Sequence, residues 1–489
     1  MNEIRAGAVL SYVNLGLRIG VPLVLTPYIL DVLGPAEYGL YMLASTLLVR
    51  LYLSDLGRTT STRFLSSYRA RGDEQGEAHF LGMLTVLYTL AGMFLLGLGL
   101  AVYPFLGDIF PHFTKGELRL YRVLYLMALV NAAIMFPGRS LAGIADSRQK
   151  YLVPGIIAVG TSVLHAIGTW GVLALGYRST GLVAFNIGTG LLALVLNMVY
   201  CFAGLRARMS WQGWDGALCR GLFAFSWWML LNQLINMLNA GTGNYLVAIT
   251  LGADAAAVYT CGLQIYANYF LLGGCLAQFF LPRVVGLIER GAGPGVQTEA
   301  MVRLGRVQLV ILLPIAIALI CYGRQFFTLW VGHKLGDQAE LSWLIAIALI
   351  IPQTFSLVQA LGWQISQARN VLRQRVAITG FNSALFIIVS FFVCKYYGIA
   401  AQAVWAALSI LIQLLMLNLI HYRGLGINPL RFYARTFSGW KLRAPLLLLS
   451  ALAIGHLIPD SGWVELLGEL SCFGALYLAL LFVPRRHRP

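Results

Sequence analysis

Apolar runs of about twenty residues recur along nearly the whole chain, parted by short polar stretches. A helix that crosses a bilayer needs ~20 consecutive, mostly apolar residues. Fourteen stretches meet that requirement: 8–31, 38–57, 80–104, 121–142, 153–176, 181–203, 221–250, 256–281, 308–329, 341–364, 376–394, 399–420, 444–459 and 464–483. The thirteenth is the shortest. The first is too long for the apolar region of a signal peptide and reads as a span. No polar stretch exceeds about 25 residues, too few for a catalytic domain outside the membrane. The pattern predicts an all-α polytopic membrane protein of about 14 transmembrane helices.

Charge orients these helices. The chain holds 35 Lys+Arg against 19 Asp+Glu, a net charge of +16. Of the 35 cations, 25 fall in alternate connections: 1–7, 58–79, 143–152, 204–220, 282–307, 365–375, 421–443 and 484–489. Positively charged loops stay cytoplasmic. Both termini are therefore expected in the cytoplasm, and the membrane is expected to be the cell inner membrane. Most of the basic balance is thus topological, with anionic headgroups as its natural contacts. Nucleic acid is not an expected partner, because no soluble basic domain exists to carry it. Seven scattered cysteines form no CxxC or His/Cys cluster, so neither a disulfide scaffold nor a metal site is expected. Nor does any Ser/His/Asp set, carboxylate pair or phosphate-cradling glycine loop point to catalysis. The reading is a transporter, with no catalytic residues and no cofactor.

The chain echoes itself. Leu33-Gly34 is followed by Tyr41 between spans 1 and 2, and Leu251-Gly252 by Tyr259 between spans 7 and 8, an offset of 218 residues. The same offset aligns Asn14 with Asn232. A looser echo links Tyr177, Gly181 and Leu182 to Tyr397, Gly398 and Ile399. Six spans per half implies parallel repeats about an axis along the membrane normal, with a substrate site between them near mid-depth. The expected organisation is two pseudo-symmetric six-helix lobes, 1–203 and 204–421, plus two additional helices and a basic cytoplasmic tail in 422–489.

Three cations lie inside spans: Arg18, Arg50 and Arg139. An arginine at a helix centre costs ~2.5–3.5 kcal/mol on insertion scales, so it normally faces protein or water. Arg18 lies near mid-depth of span 1. Ser11 and Asn14 share its face at helical spacing. Pro22, four residues on, leaves the carbonyl of Arg18 without its helical donor and predicts a kink. Such a helix is expected to line a cavity. Arg50 lies slightly to the cytoplasmic side of centre in span 2. Arg139 follows Pro137-Gly138 near the end of span 4, where it can line the inner cavity mouth or snorkel to the interface. Asp55 is the one acid read as lying inside a span; all others fall in loops or near span ends. It is the candidate for ion coupling, and also a structural partner for Arg58 at i+3.

Spans 7 to 12 carry amides instead. Asn232, Asn236 and Asn239 form one stripe in span 7, and the repeat offset places Asn236 opposite Arg18. Further amides are Asn268, Gln278, Gln353, Gln359, Asn382, Gln402 and Gln413, each explicable as interhelical bonding and as a group expected to include sugar contacts. A mid-depth guanidinium matches phosphate with parallel hydrogen bonds. Cations on one side and amides on the other suit a phosphate-linked glycan. A cationic drug would call for a carboxylate. Single intramembrane histidines, His165 and His456, read as structural.

Three segments resemble a known family: Leu33-Gly-Pro-Ala-Glu-Tyr-Gly-Leu-Tyr41, Arg139-Ser-Leu-Ala-Gly-Ile-Ala-Asp-Ser-Arg-Gln-Lys-Tyr151 and Phe326-Phe-Thr-Leu-Trp-Val-Gly332. They resemble the polysaccharide (O-antigen, Wzx-type) flippases of the multidrug/oligosaccharidyl-lipid/polysaccharide exporter superfamily. The resemblance implies a two-lobed bundle that moves a polyprenyl-diphosphate-linked oligosaccharide outward across the inner membrane. It also implies that cavity arginines, here Arg18 and Arg50, meet the diphosphate. Polymerase and glycosyltransferases of the same pathway would be its functional partners. The alternatives are a flippase for lipid-linked peptidoglycan precursor, an ion-coupled multidrug exporter and, in a different class, a membrane glycan ligase or polymerase.

Overall fold

The computed structural model describes residues 3–52, 56–211, 216–278, 293–362, 365, 372–458 and 462–482. Each of the fourteen expected spans coincides with a helix. The first six are α1 (Glu3–Leu33), α2 (Pro35–Tyr52), α4 (Glu74–Val102), α6 (Lys115–Met135), α8 (Leu152–Ala174) and α9 (Ser179–Val199). Next come α10 (Gly216–Leu251), α11 (Ala253–Gln278), α12 (Pro294–Leu335) and α13 (Gln338–Leu357). Spans 11 and 12 share α14 (Leu372–Leu425), and the last two are α16 (Arg443–Leu457) and α17 (Trp463–Phe482). Among the described residues, nine helices are by themselves long and apolar enough to cross a membrane. The protein is a multi-pass membrane protein. The helical choice has one dominant cause: in lipid every backbone N–H and C=O must be satisfied within the segment.

The connections depart from expectation. Where cytoplasmic loops were predicted, short helices form: α3 (Leu56–Ala70), α7 (Arg139–Ser147) and α15 (Pro429–Phe437). A further short helix, α5 (Leu106–Ile109), precedes α6. Helices α3 and α7 cross closely, because a β-carbon on Gly143 would stand only 2.2 Å from that of Ser61. Small residues at a crossing let backbones approach. Span 4 also ends early. Its helix stops at Met135 instead of 142, since Pro137 has no N–H to donate and disfavours helix at the residue before it. At the other end of the chain, α12 begins fourteen residues before its expected span. That extension buries Met301, Val302 and Leu304 with Phe432 and Trp440. By contrast, α1 runs through Pro22 and Pro27 as one helix.

The glycines of the two echoes share a backbone conformation. Gly34 and Gly252, at equivalent turns, have φ of 78° and 93°. Gly176 and Gly398, before spans 6 and 12, have φ of 84° and 79°. The second echo is therefore better anchored on Gly176 than on Gly181. Gly398 also has ψ of −168°, which splits α14 into its two spans. That region of backbone space is essentially reserved for glycine. No atom lies within 4 Å of a β-carbon placed there, so only the backbone resists substitution. Gly398→Ala is expected to cost ~1–3 kcal/mol, read as a lower melting temperature of the purified protein.

Two compact units make up the chain, Met1–Ala257 and Val258–Pro489. In the first, Leu65, Phe80, Leu81, Leu84, Leu141 and Ile144 form a core joining α3, α4 and α7. Helix α10, with its asparagine stripe, packs in this same unit against α2 and α3. In the second, Tyr269, Leu312, Ile350 and Leu357 join α11, α12 and α13.

Candidate functional site

Arg18 occupies the middle of α1, fifteen residues from either end, or ~22 Å at 1.5 Å per residue. Its side chain is exposed. The exposure is of a particular kind. Val9 lies nine residues before Arg18, two and a half turns away and hence on the opposite side of the helix. Val9 and, within about 60° of it around the helix, Tyr12, Val13 and Val24 are the strongly exposed apolar residues of α1, with Val24 at 77%. They suit lipid. Ser11 and Pro22 lie instead on the Arg18 side. The helix thus presents one apolar face and, turned away from it, one cationic face.

Asn14 stands between the Arg18 face and the contact with α8. There its Oδ1 accepts a hydrogen bond of 2.9 Å from the Ser162 hydroxyl. Leu10 packs against Gly155 on the same helix pair. Asn14 therefore holds α1 in register on α8 and fixes how Arg18 is presented. Ser162 carried no sequence signal, because a lone serine in an apolar span resembles many others.

The remaining predicted residues separate. Arg50 lies in α2 and its side chain is outside the described residues, as is Asp55 altogether. Arg139 is the first residue of α7, beyond the Pro137 break, so it begins a short helix instead of lying inside span 4. Along α10 Asn232 is buried, Asn239 half-buried and Asn236 exposed. The stripe belongs to the same compact unit as Arg18.

In the second unit the amides are mostly bonded to neighbours. Gln353 accepts from Tyr266, Gln359 donates to Asn418, Asn382 to Ser409 and Gln402 to Ser390. Their expected sugar contacts give way to interhelical bonding. His165 is half-buried and stacks near Phe185, in keeping with a structural reading.

The first resembling motif forms the packing at the α1–α2 turn of the first unit. Gly34 supplies the positive-φ turn, and Tyr38 is fully buried. Gly39 meets the 7–8 turn so closely that its β-carbon would stand 2.2 Å from the carbonyl oxygen of Ala253. Tyr245 of α10 donates to the carbonyl of Leu43 at 2.8 Å. Glu37 accepts from the Ser179 hydroxyl at 2.7 Å, from the Ser179 backbone and from Arg178. Burial works against its charge, but these bonds outweigh it and hold the carboxyl below its ordinary value. The stabilisation is therefore complete above the ordinary carboxylate value of ~4.3 and is lost as pH falls through the lower folded value. The melting temperatures of wild type and Glu37→Gln should differ at neutral pH and converge in acid.

The third helix end in this unit is similarly tied. Arg148 of the second motif pairs with Glu77 at 3.0 Å and reaches the carbonyl of Leu205. These motifs are thus largely structural, joining turns far apart in sequence.

The backbone can now be compared with known structures. It matches the lipid II flippase MurJ in an inward closed conformation with a TM-score of 0.72 at 12% identity, covering 97% of both chains. The chain shares that fold. A MATE in complex with MaL6 matches with a TM-score of 0.62 at 15% identity, over 89% of this chain and 97% of that one. A MOP superfamily transporter from Pyrococcus furiosus matches with a TM-score of 0.59 at 14% identity, over 89% and 97%. The family model described as polysaccharide biosynthesis protein matches residues 146–340. No curated protein matches the chain. The family match contains the Phe326–Gly332 segment and the end of Arg139–Tyr151, whereas Leu33–Tyr41 lies outside it.

Proposed function

We propose that the protein is a flippase for a polyprenyl-diphosphate-linked oligosaccharide, the repeat unit of an O-antigen, capsule or exopolysaccharide. It moves this lipid across the inner membrane by alternating access, with both termini cytoplasmic. The observation that carries the reading is Arg18, a guanidinium at the centre of a spanning helix, exposed and turned away from the apolar face. A cation there recognises phosphate; a drug cation would be repelled. Arg50 is its proposed companion. Arg139 serves the inner mouth, and Asn14 positions Arg18. On α10 the accessible amides Asn236 and Asn239 offer sugar contacts, with Asn232 anchoring the stripe. Lobes 1–203 and 204–421 rock about this site, while 422–489 adds two helices. Pathway polymerase and glycosyltransferases hand substrate on either side.

Lipid-linked peptidoglycan precursor is the second reading, favoured by the whole-chain likeness to a lipid II flippase. The oligosaccharide is our first reading, supported by the match to a polysaccharide biosynthesis family over residues 146–340. Reconstitution decides between them. Purified protein in vesicles should expose a fluorescent polyprenyl-diphosphate oligosaccharide to an external reagent that cannot cross the bilayer. Transport of the muropeptide-bearing lipid alone would overturn the choice. Efflux of cationic dyes with neither lipid moved would overturn the class.

A further inference from the structure

The thirteenth span is short for its task. Helix α16 has 15 residues, ~22 Å at 1.5 Å per residue, against a hydrocarbon core of ~30 Å. The missing apolar length lies in α15 and the turn after it. Pro429–Trp440 and Arg443–Leu457 together meet the requirement for one span, but bend by 47° between them. The chain thus runs aslant before it turns across.

Helix α15 is fastened along one side. Phe432 and Thr436 are fully buried. Thr436 abuts α12, where a β-carbon on Gly305 would stand 2.9 Å from its methyl group. Arg435 pairs with Glu299 of α12 at 2.9 Å, and Arg306 donates to the Arg435 carbonyl at 2.9 Å. Just beyond α15, Trp440 is buried and stacks on Tyr477 of α17. The other side is open. Leu430 stands about 160° around the helix from Phe432 and is 81% exposed. Ala434, one turn on from Leu430, is exposed too. At the corner into α16, Leu442 is 76% exposed.

Charge completes the pattern. Between 421 and 443 the sequence holds Arg423, Arg431, Arg435, Lys441 and Arg443, and no Asp or Glu. Arg435 is spent on Glu299. Arg431 borders the apolar side of α15, and Lys441 precedes Leu442. Both are exposed, and neither has an acidic partner among the described residues.

Exposed leucines beside unspent cations suit the plane of a membrane interface. There the apolar side sinks to the acyl boundary, and the cations reach the phosphates of anionic headgroups. We propose that α15 and the corner after it form an in-plane anchor for anionic phospholipid in the cytoplasmic leaflet. Leu430 and Leu442 lie among acyl chains, and Arg431 and Lys441 meet headgroup phosphates. The anchor makes up the length that α16 lacks, and Glu299 and Tyr477 transmit its hold to α12 and α17. It does not depend on which substrate the protein carries.

Melting of the full-length protein in lipid nanodiscs tests the anchor. Wild type should melt ~2–4 °C higher in equal parts of phosphatidylglycerol and phosphatidylcholine than in phosphatidylcholine alone. Added salt should shrink the difference. The double variant Arg431→Gln, Lys441→Gln should lose more than half of that rise, whereas the charge-keeping Arg431→Lys, Lys441→Arg should keep it. Arg119→Gln, at an exposed cation of α6, should keep it as well. Retention of more than half in the neutral double variant, or an equal loss in Arg119→Gln, would overturn the proposal. So would an equal rise in micelles with soluble glycerophosphate, which would mark a free-anion site. No rise in wild type would overturn it too and leave the exposed leucines to a protein partner.

Discussion

Cells carrying Arg18→Ala should export about ten- to a hundredfold less glycan than wild type at equal membrane abundance. The magnitude follows from the charge. Hydrogen bonds to ionised groups contribute about 1.5–3 kcal/mol, and each 1.4 kcal/mol is tenfold. Arg18 lies at the centre of α1 on the side away from Val9 and Val24, so no packing explanation competes strongly. The lysine variant separates charge from geometry. Arg18→Lys keeps the cation but loses the planar fork that meets phosphate with two parallel bonds. Its export should lie between the two. Normal export in both variants, with protein in the membrane, would remove Arg18 from the mechanism. Ser162→Ala should give a milder loss, because it frees Asn14 to turn and leaves Arg18 in place.

The second large effect concerns a single carbon atom. Gly39→Ala places that atom 2.2 Å from the Ala253 carbonyl oxygen, and the backbone of Ala257 stands 3.3 Å away. Backbone cannot swing aside as a side chain can, so α2 must shift off the 7–8 turn. Overpacking of this kind costs ~1–3 kcal/mol. Gly16→Ala on α1 provides the control, since nothing lies within 4 Å of its β-carbon. There the substitution should be neutral or stabilising by up to ~1 kcal/mol, from helix propensity alone. Melting of both purified variants, followed by size-exclusion chromatography, should therefore move in opposite directions. Equal melting would mean that the Gly39 crossing bears no load.

Much of the architecture was legible in advance. Span positions are local, one run of about twenty apolar residues at a time, and all fourteen fell on helices. Gly34 and Gly252 stood out because a tight turn between spans needs a left-handed residue. The short connecting helices were not legible. Each is too short and too polar to announce itself, and α3 becomes a helix by packing on α7 across Gly143. The burial of Glu469, six residues into α17, was not legible for a related reason. Six residues from a helix start, an acid looks terminal; only the approach of Tyr322 and Gly455 shows that it is enclosed.

The sequence by itself determined a membrane protein of fourteen spans, the glycine turns between several of them and a cation at the heart of the first helix. Those follow from free energies that act on one segment at a time: transfer of apolar residues into lipid, and the cost of an isolated charge there. The tertiary structure alone decided which polar groups are spent and which are free for work. It bonded Asn14 to Ser162, absorbed the amides of the second unit into helix contacts and turned the Arg18 face away from the apolar one. It also enclosed Glu469. A side chain's partner comes from another span, 12 residues away for Gln402 and 148 for Asn14, and no local pattern records which will arrive.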